Sequence, residues 1–157
     1  MLKRADTVDL RGVAATILQK EVGVQPCADL QAIFWLAENG DIEWVVGYTA
    51  FIGKTCQMHM VNLKGGYTPK GLLFDAFNYA FNECEKEKVF GVVNSLNTKA
   101  IDYDKKLGFN EVLRFAGMHD DGGDLVVIPI HFMYLILSNE ANGYLRCIVM
   151  VWIIPMR

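Results

Sequence analysis

A mixed α/β (α+β) domain is what this sequence predicts, an antiparallel meander followed by a strand, helix and strand crossover, a second helix and a C-terminal hairpin. Three observations carry the prediction. An apolar stripe of helical period opens the chain, three β-rich runs separated by tight-turn residues follow it, and a helix with a glycine-containing entry then stands between two short apolar strands. With 157 residues and 52% hydrophobic content, the chain suits one packed domain, 1–157.

The first helix is expected over residues 7–22, where Leu10, Val13, Ala14, Ile17 and Leu18 recur every three or four positions and Thr7 or Asp6 can cap the start. Residues 23–29, with Pro26, break the pattern. Strands are expected at 31–37, 42–52 and 56–63, joined by the Asn39-Gly40 turn and by Gly53-Lys54. Gly65-Gly66-Tyr67-Thr68-Pro69 then leads into a helix that carries Leu72, Leu73, Ala76, Phe77, Ala80, Phe81 and Cys84 along one side and runs to about Glu87. A strand at 89–94 completes a crossover whose two strands should be parallel neighbours. A second such helix at 97–107 has Ala100, Tyr103 and Leu107 as its buried stripe and ends at Gly108. Strands at 111–118 and 125–130 flank an Asp- and Gly-rich turn.

Composition narrows the function classes. Fifteen basic against eighteen acidic side chains give a charge of −3, without the dense Lys/Arg run that nucleic-acid binding needs. Cys27, Cys56, Cys84 and Cys147 are scattered, so free thiols in a reducing cytoplasm are expected, and no metal site. No apolar leader follows Met1, and the apolar run 144–156 is too short for the roughly 20 residues of a membrane span. The tail from His131 holds two apolar runs, 132–137 and 144–154, which a final hairpin or a second subunit would bury; a homodimer contact is expected there.

A candidate anion site lies at the start of the helix opened by Thr68 and Pro69, residues 64–71. Two glycines allow a tight turn, Thr68 can cap the helix and Pro69 suits its first position, which leaves amide N–H groups facing outward beside Lys64 and Lys70. The plain alternative is a well-formed loop that binds nothing.

Asn97-Thr98-Lys99-Ala100, followed seven residues on by Leu107-Gly108-Phe109, resembles the signature that closes the coenzyme A site in the GNAT N-acetyltransferases. The resemblance covers roughly residues 31–130 and is nearest to small bacteriophage-type members and the ribosomal-protein N-terminal acetyltransferase branch. It implies a GNAT-like central sheet and acetyl-CoA as acyl donor, lying between strands 56–63 and 89–94 with its pyrophosphate on Lys64, Gly65, Gly66, Tyr67, Thr68, Lys70 and Gly71. It further implies amides around Val61 and Asn62 polarising the thioester, Asn97 touching the donor or fixing the backbone, and an amine as acceptor. Two positions depart from the family pattern. Counted back from Leu72-Leu73, Tyr67 stands where the phosphate loop's first glycine belongs, and the position of the family's proton-donating tyrosine is Asp104, with Tyr103 one residue earlier on the packed stripe.

Base candidates are few. His59 has a suitable intrinsic pKa, with a hydrogen-bonded structural histidine as its alternative; Glu43 or Asn94-Ser95 could order a water instead. His119 with Asp120, Asp121 and Asp124 reads as a hairpin loop rather than a metal site, and Trp35 and Trp44 as sheet core or the acceptor's mouth. The reading is thus an N-acetyltransferase, and its alternative a catalytically weak module of the same fold that binds a partner protein.

Overall fold

The computed structural model describes residues 1–4 and 7–131, and the backbone of 137–138 and 146–147. The chain falls into two compact units, residues 1–91 and 92–157.

In the first unit, β1 (Leu2–Arg4), β2 (Gln31–Leu36), β3 (Ile42–Ile52) and β4 (Thr55–Asn62) form an antiparallel meander. The parallel crossover is present: β5 (Lys88–Asn94) pairs with β4 from Thr55↔Lys88 to Gln57↔Phe90. The short β1 escapes a sequence reading because three residues carry no periodicity. Helix α1 (Val8–Val22) starts where Thr7 Oγ1 accepts the Leu10 amide at 3.2 Å and stops at Gly23, whose φ of 70° suits glycine. Its buried Ala14 and Leu18 pack with Ala32, Phe34, Val45 and Val61 on one face of the meander. Gly47 makes that approach close, since a Cβ there would lie 2.4 Å from Leu18 Cδ1.

Helix α2 (Lys70–Asn78) covers the other face, where the buried Tyr48 hydroxyl donates to the Ala76 carbonyl at 2.7 Å. That carbonyl also accepts the Tyr79 amide, and from here the helix widens into one π turn, Tyr79–Glu83. The helical run therefore ends at Glu83, short of the expected Glu87.

In the second unit, α3 (Thr98–Lys106) is followed by the hairpin of β6 (Leu113–Phe115) and β7 (Leu125–His131). The first of these strands is three residues long rather than the expected eight, because residues 116–124 fold into turns. In the tail, β8 (Leu137–Ser138) pairs antiparallel with β9 (Arg146–Cys147), so a final hairpin register exists. The remaining expectations for the tail, its buried apolar runs and dimer contact, lie outside the described residues. Among the described residues no helix is long and apolar enough to cross a membrane.

Candidate functional site

Asn62, the last residue of β4, builds the loop after it. Its Oδ1 accepts the Lys64 and Gly65 amides at 3.2 and 2.8 Å, and its Nδ2 donates to the Gly66 carbonyl at 3.3 Å. Gly65 and Gly66 have φ of 75° and 88°, and a Cβ at either would meet nothing within 4 Å; backbone conformation, not crowding, calls for glycine here. Tyr67 is fully exposed, so its bulk points away from the chain.

The loop delivers an open helix end. Pro69, not Thr68, occupies the N-cap position: its carbonyl accepts the Leu73 amide at 3.2 Å, and no side chain caps the turn. The expected Thr68 cap is thus corrected, because the helix begins one residue later, at Lys70. A proline ring offers no acceptor, so the N-cap supplies no side-chain partner to the first-turn amides of Lys70, Gly71 and Leu72 at the positive end of α2. Gly71 is exposed, and a Cβ there would sit 3.2 Å from the Trp35 ring. Lys70 is exposed beside it. Lys64 reaches Asp41 at 3.4 Å, an exposed pair that leaves the ammonium accessible. Trp44, by contrast, is buried sheet core.

Register decides which β4 amides face a ligand. The Leu63 amide donates to the Glu43 carbonyl at 2.8 Å, and Val61 stands opposite Val45. Donors alternate along an antiparallel ladder, so the Val61 amide turns toward β3, whereas those of Met60 and Asn62 turn toward the opposite edge, past the last β4–β5 pair. Of the two amides expected to polarise a carbonyl, that of Val61 faces β3 within the sheet, and the Met60 and Asn62 amides share the opposite edge.

His59 stands opposite Gly47 and so shares the α1 face of β4. Its Nε2 lies 2.9 Å from the Oγ1 of buried Thr49, and burial pushes its pKa down to about 4, leaving a neutral imidazole at pH 7. Helix α2 occupies the other face, that of Tyr48. The structure therefore places His59 and the anion-type helix end on opposite sides of one strand. Glu43 is half-buried four residues from Gly47 along β3.

In the second unit, Asn97 fixes the backbone: its Oδ1 accepts the Ala100 amide at 3.1 Å as the cap of α3. Ala100, Tyr103 and Leu107 are half-buried, and Phe109 is buried. Asp104 is half-buried as well, and burial pushes its carboxyl up to about 6. At the end of β5, Asn94 and Ser95 are bonded to the 117–124 turn: Asn94 Nδ2 donates to Asp121 Oδ2 at 2.7 Å, and Ser95 Oγ accepts the Asp124 amide at 2.8 Å. Among the described residues no group of three His, Cys, Asp or Glu side chains is placed to hold a metal ion.

Sequence reasoning missed Asn62 as the loop's anchor, Thr49 as the partner of His59 and Trp35 as the neighbour of Gly71. Only the first had a signal, an Asn two residues ahead of a Lys-Gly-Gly turn.

This arrangement is the GNAT fold of N-acetyltransferases. Neither a family model nor a curated protein matches the sequence. Among solved structures, a chimeric spermidine N-acetyltransferase from Vibrio cholerae is similar with TM-score 0.67 at 16% identity, over 83% of this chain and 96% of that one. A protein described as a phosphinothricin N-acetyltransferase is similar with TM-score 0.65 at 21% identity, over 85% and 98%. A third, the dodecameric spermidine N-acetyltransferase from Vibrio cholerae, matches with TM-score 0.67 at 13% identity, over 83% and 92%.

Proposed function

We propose that this protein transfers an acetyl group from acetyl-CoA to a primary amine by direct attack. The observation that carries the reading is the uncapped start of α2, presented by the Asn62-pinned loop at the end of β4. The amides of Lys70, Gly71 and Leu72, with Lys64 and Lys70, suit a pyrophosphate there, and Gly65, Gly66, Tyr67 and Thr68 shape the approach. The donor supplies the thioester. The Met60 and Asn62 amides polarise its carbonyl at the β4 edge, between the α2 face and the face that carries His59.

The basicity of His59 bears on the acceptor. An imidazole of pKa about 4 is a poor base for a lysine ammonium, which is neutral in roughly one molecule in 2,500 at pH 7. An α-amine is already neutral in roughly one in ten. The proposed acceptor is therefore an amine of low basicity such as a peptide α-amine, in keeping with the N-terminal acetyltransferase branch that the sequence resembles. Asp104, protonated in roughly one molecule in ten at pH 7 given a pKa of about 6, is assigned the proton for the departing thiolate, with Tyr103 packing α3. Asn97 holds the backbone that presents this helix. The free thiols Cys27, Cys56 and Cys84 suit a reducing cytoplasm, and a homodimer through the C-terminal segment is proposed from its apolar sequence.

Mass spectrometry of products after incubation with acetyl-CoA and a panel of peptides and small amines tests the reading. Acetylated α-amines are expected; no acetylated product from any acceptor contradicts it.

A further inference from the structure

The 117–124 turn makes a series of hydrogen bonds that the proposed chemistry does not use, and they converge on one side chain. Asp121 Oδ1 accepts the Gly123 amide at 3.0 Å, and its Oδ2 accepts Asn94 Nδ2 at 2.7 Å. Asn94 Oδ1 in turn accepts the Leu96 amide at 2.9 Å, its carbonyl accepts the Asn97 amide at 2.9 Å, and Asn97 Oδ1 caps α3 on Ala100. Gly123 is buried against the same group: a Cβ there would fall 2.0 Å from Asn94 Oδ1 and 2.9 Å from its Cγ. A second set of bonds fastens the turn. Ser95 exchanges two bonds of 2.8 Å with the Asp124 backbone, and the Asp124 carboxylate accepts Gly117 N–H at 3.0 Å and Arg114 Nη1 at 2.9 Å. Arg114 is itself held by both oxygens of Glu111 at 2.8 Å.

We propose that Asp121 and Gly123 are positioning residues: together they lock the Asn94 side chain, which sets the β5–α3 junction and so the placing of Asn97 and Asp104. This rests on the roles given to those two residues under the acetyl-transfer reading. A fully bonded Asn94 has one arrangement, because both its donor and its acceptor are committed to opposite ends of the junction. Removing the Asp121 carboxylate releases the donor. Adding a methyl group at position 123 evicts the acceptor.

The test uses the full chain and five variants, Asp121→Ala, Asp121→Asn, Gly123→Ala, Asn94→Ala and the Asn94→Ala/Gly123→Ala double. The kcat for acetylation of a peptide α-amine is read by mass spectrometry, and Leu96 and Ala100 amide exchange by NMR. Asp121→Ala and Gly123→Ala are expected to lower kcat by about fivefold to tenfold, the size of one lost hydrogen bond, and to speed exchange at both amides. Asp121→Asn keeps one of the two acceptor oxygens and turns an amide donor toward Gly123 N–H or Asn94 Nδ2, so both readouts should fall between wild type and Asp121→Ala. Gly123→Ala should add nothing once Asn94 is already alanine. Equal harm from Gly123→Ala in both backgrounds, or wild-type kcat and exchange in Asp121→Ala, overturns the proposal. If Gly123→Ala does not fold, the Asp121 pair decides. If the wild-type chain binds no acetyl-CoA, the acetyl-transfer reading fails by itself; faster exchange in the Asp121→Ala variant then still supports the junction lock, and unchanged exchange refutes it.

Discussion

Two loops of similar length are built in opposite ways. The 63–69 loop is pinned by one side chain, that of Asn62, and ends in a helix with no side-chain cap and an exposed Tyr67. The 117–124 turn commits its Asp121 and Asp124 carboxylates, its buried Gly123 and the ends of Asn94 and Ser95 to internal partners. A helix end without a side-chain cap is what a ligand can complete; a turn whose carboxylates are already paired holds its neighbours in place. The difference separates binding surface from support.

The largest effect should come from closing the open loop. Gly71→Leu would push a side chain against Trp35 and across the first-turn amides, and acetyl-CoA affinity should fall by about a hundredfold in calorimetry, or about 2.7 kcal/mol. Asn62→Ala removes three hydrogen bonds from the loop; about tenfold weaker binding and about 1–2 kcal/mol lower stability are expected by denaturant titration.

Two pH-dependent variants probe the helix that the closed turn supports and the strand that leads to the open loop. The folded-state carboxyl of Asp104 titrates at about 6 against 3.8 in the unfolded chain, so the folded state holds the extra proton between those values and stability falls as pH rises through them. Asp104→Asn should be more stable than wild type at pH 7, by about 1 kcal/mol after solvent screening of a half-buried group, with no such gain below pH 4. The same variant should lower kcat by about tenfold. His59 has the opposite sign. Its pKa falls from 6.5 to about 4 on folding, so wild type loses stability as pH drops through that window, and His59→Gln should lose about 2 kcal/mol less between pH 7 and pH 4 in thermal melts. The smallest change belongs to the rim of the closed turn, where Arg114→Ala removes exposed ion pairs with Glu111 and Asp124 and should leave the melting temperature nearly unchanged in the same melts.

Much of this architecture was legible because it is written in period and punctuation. The Ala14/Leu18 stripe, the Asn39-Gly40 and Gly53 turns, the crossover and the Leu107-Gly108-Phe109 ending each depend on local chemistry. The site was less legible because its parts depend on register and on distant partners. Val61 and Asn62 are adjacent in sequence, yet ladder alternation sends their amides to opposite edges. Thr68 has the composition of a cap, but the helix starts after Pro69. The low pKa of His59 comes from burial beneath α1, and the bond between Asn94 and Asp121 spans 27 residues; neither leaves a local pattern.

The account depends most on the open start of α2 as a coenzyme A site, and a calorimetric titration of the full chain with acetyl-CoA tests it directly. Saturable binding of one acetyl-CoA per chain, displaced by coenzyme A and lost in Gly71→Leu, is the predicted result. No heat of binding at millimolar acetyl-CoA, or binding that Gly71→Leu leaves unchanged, would contradict it.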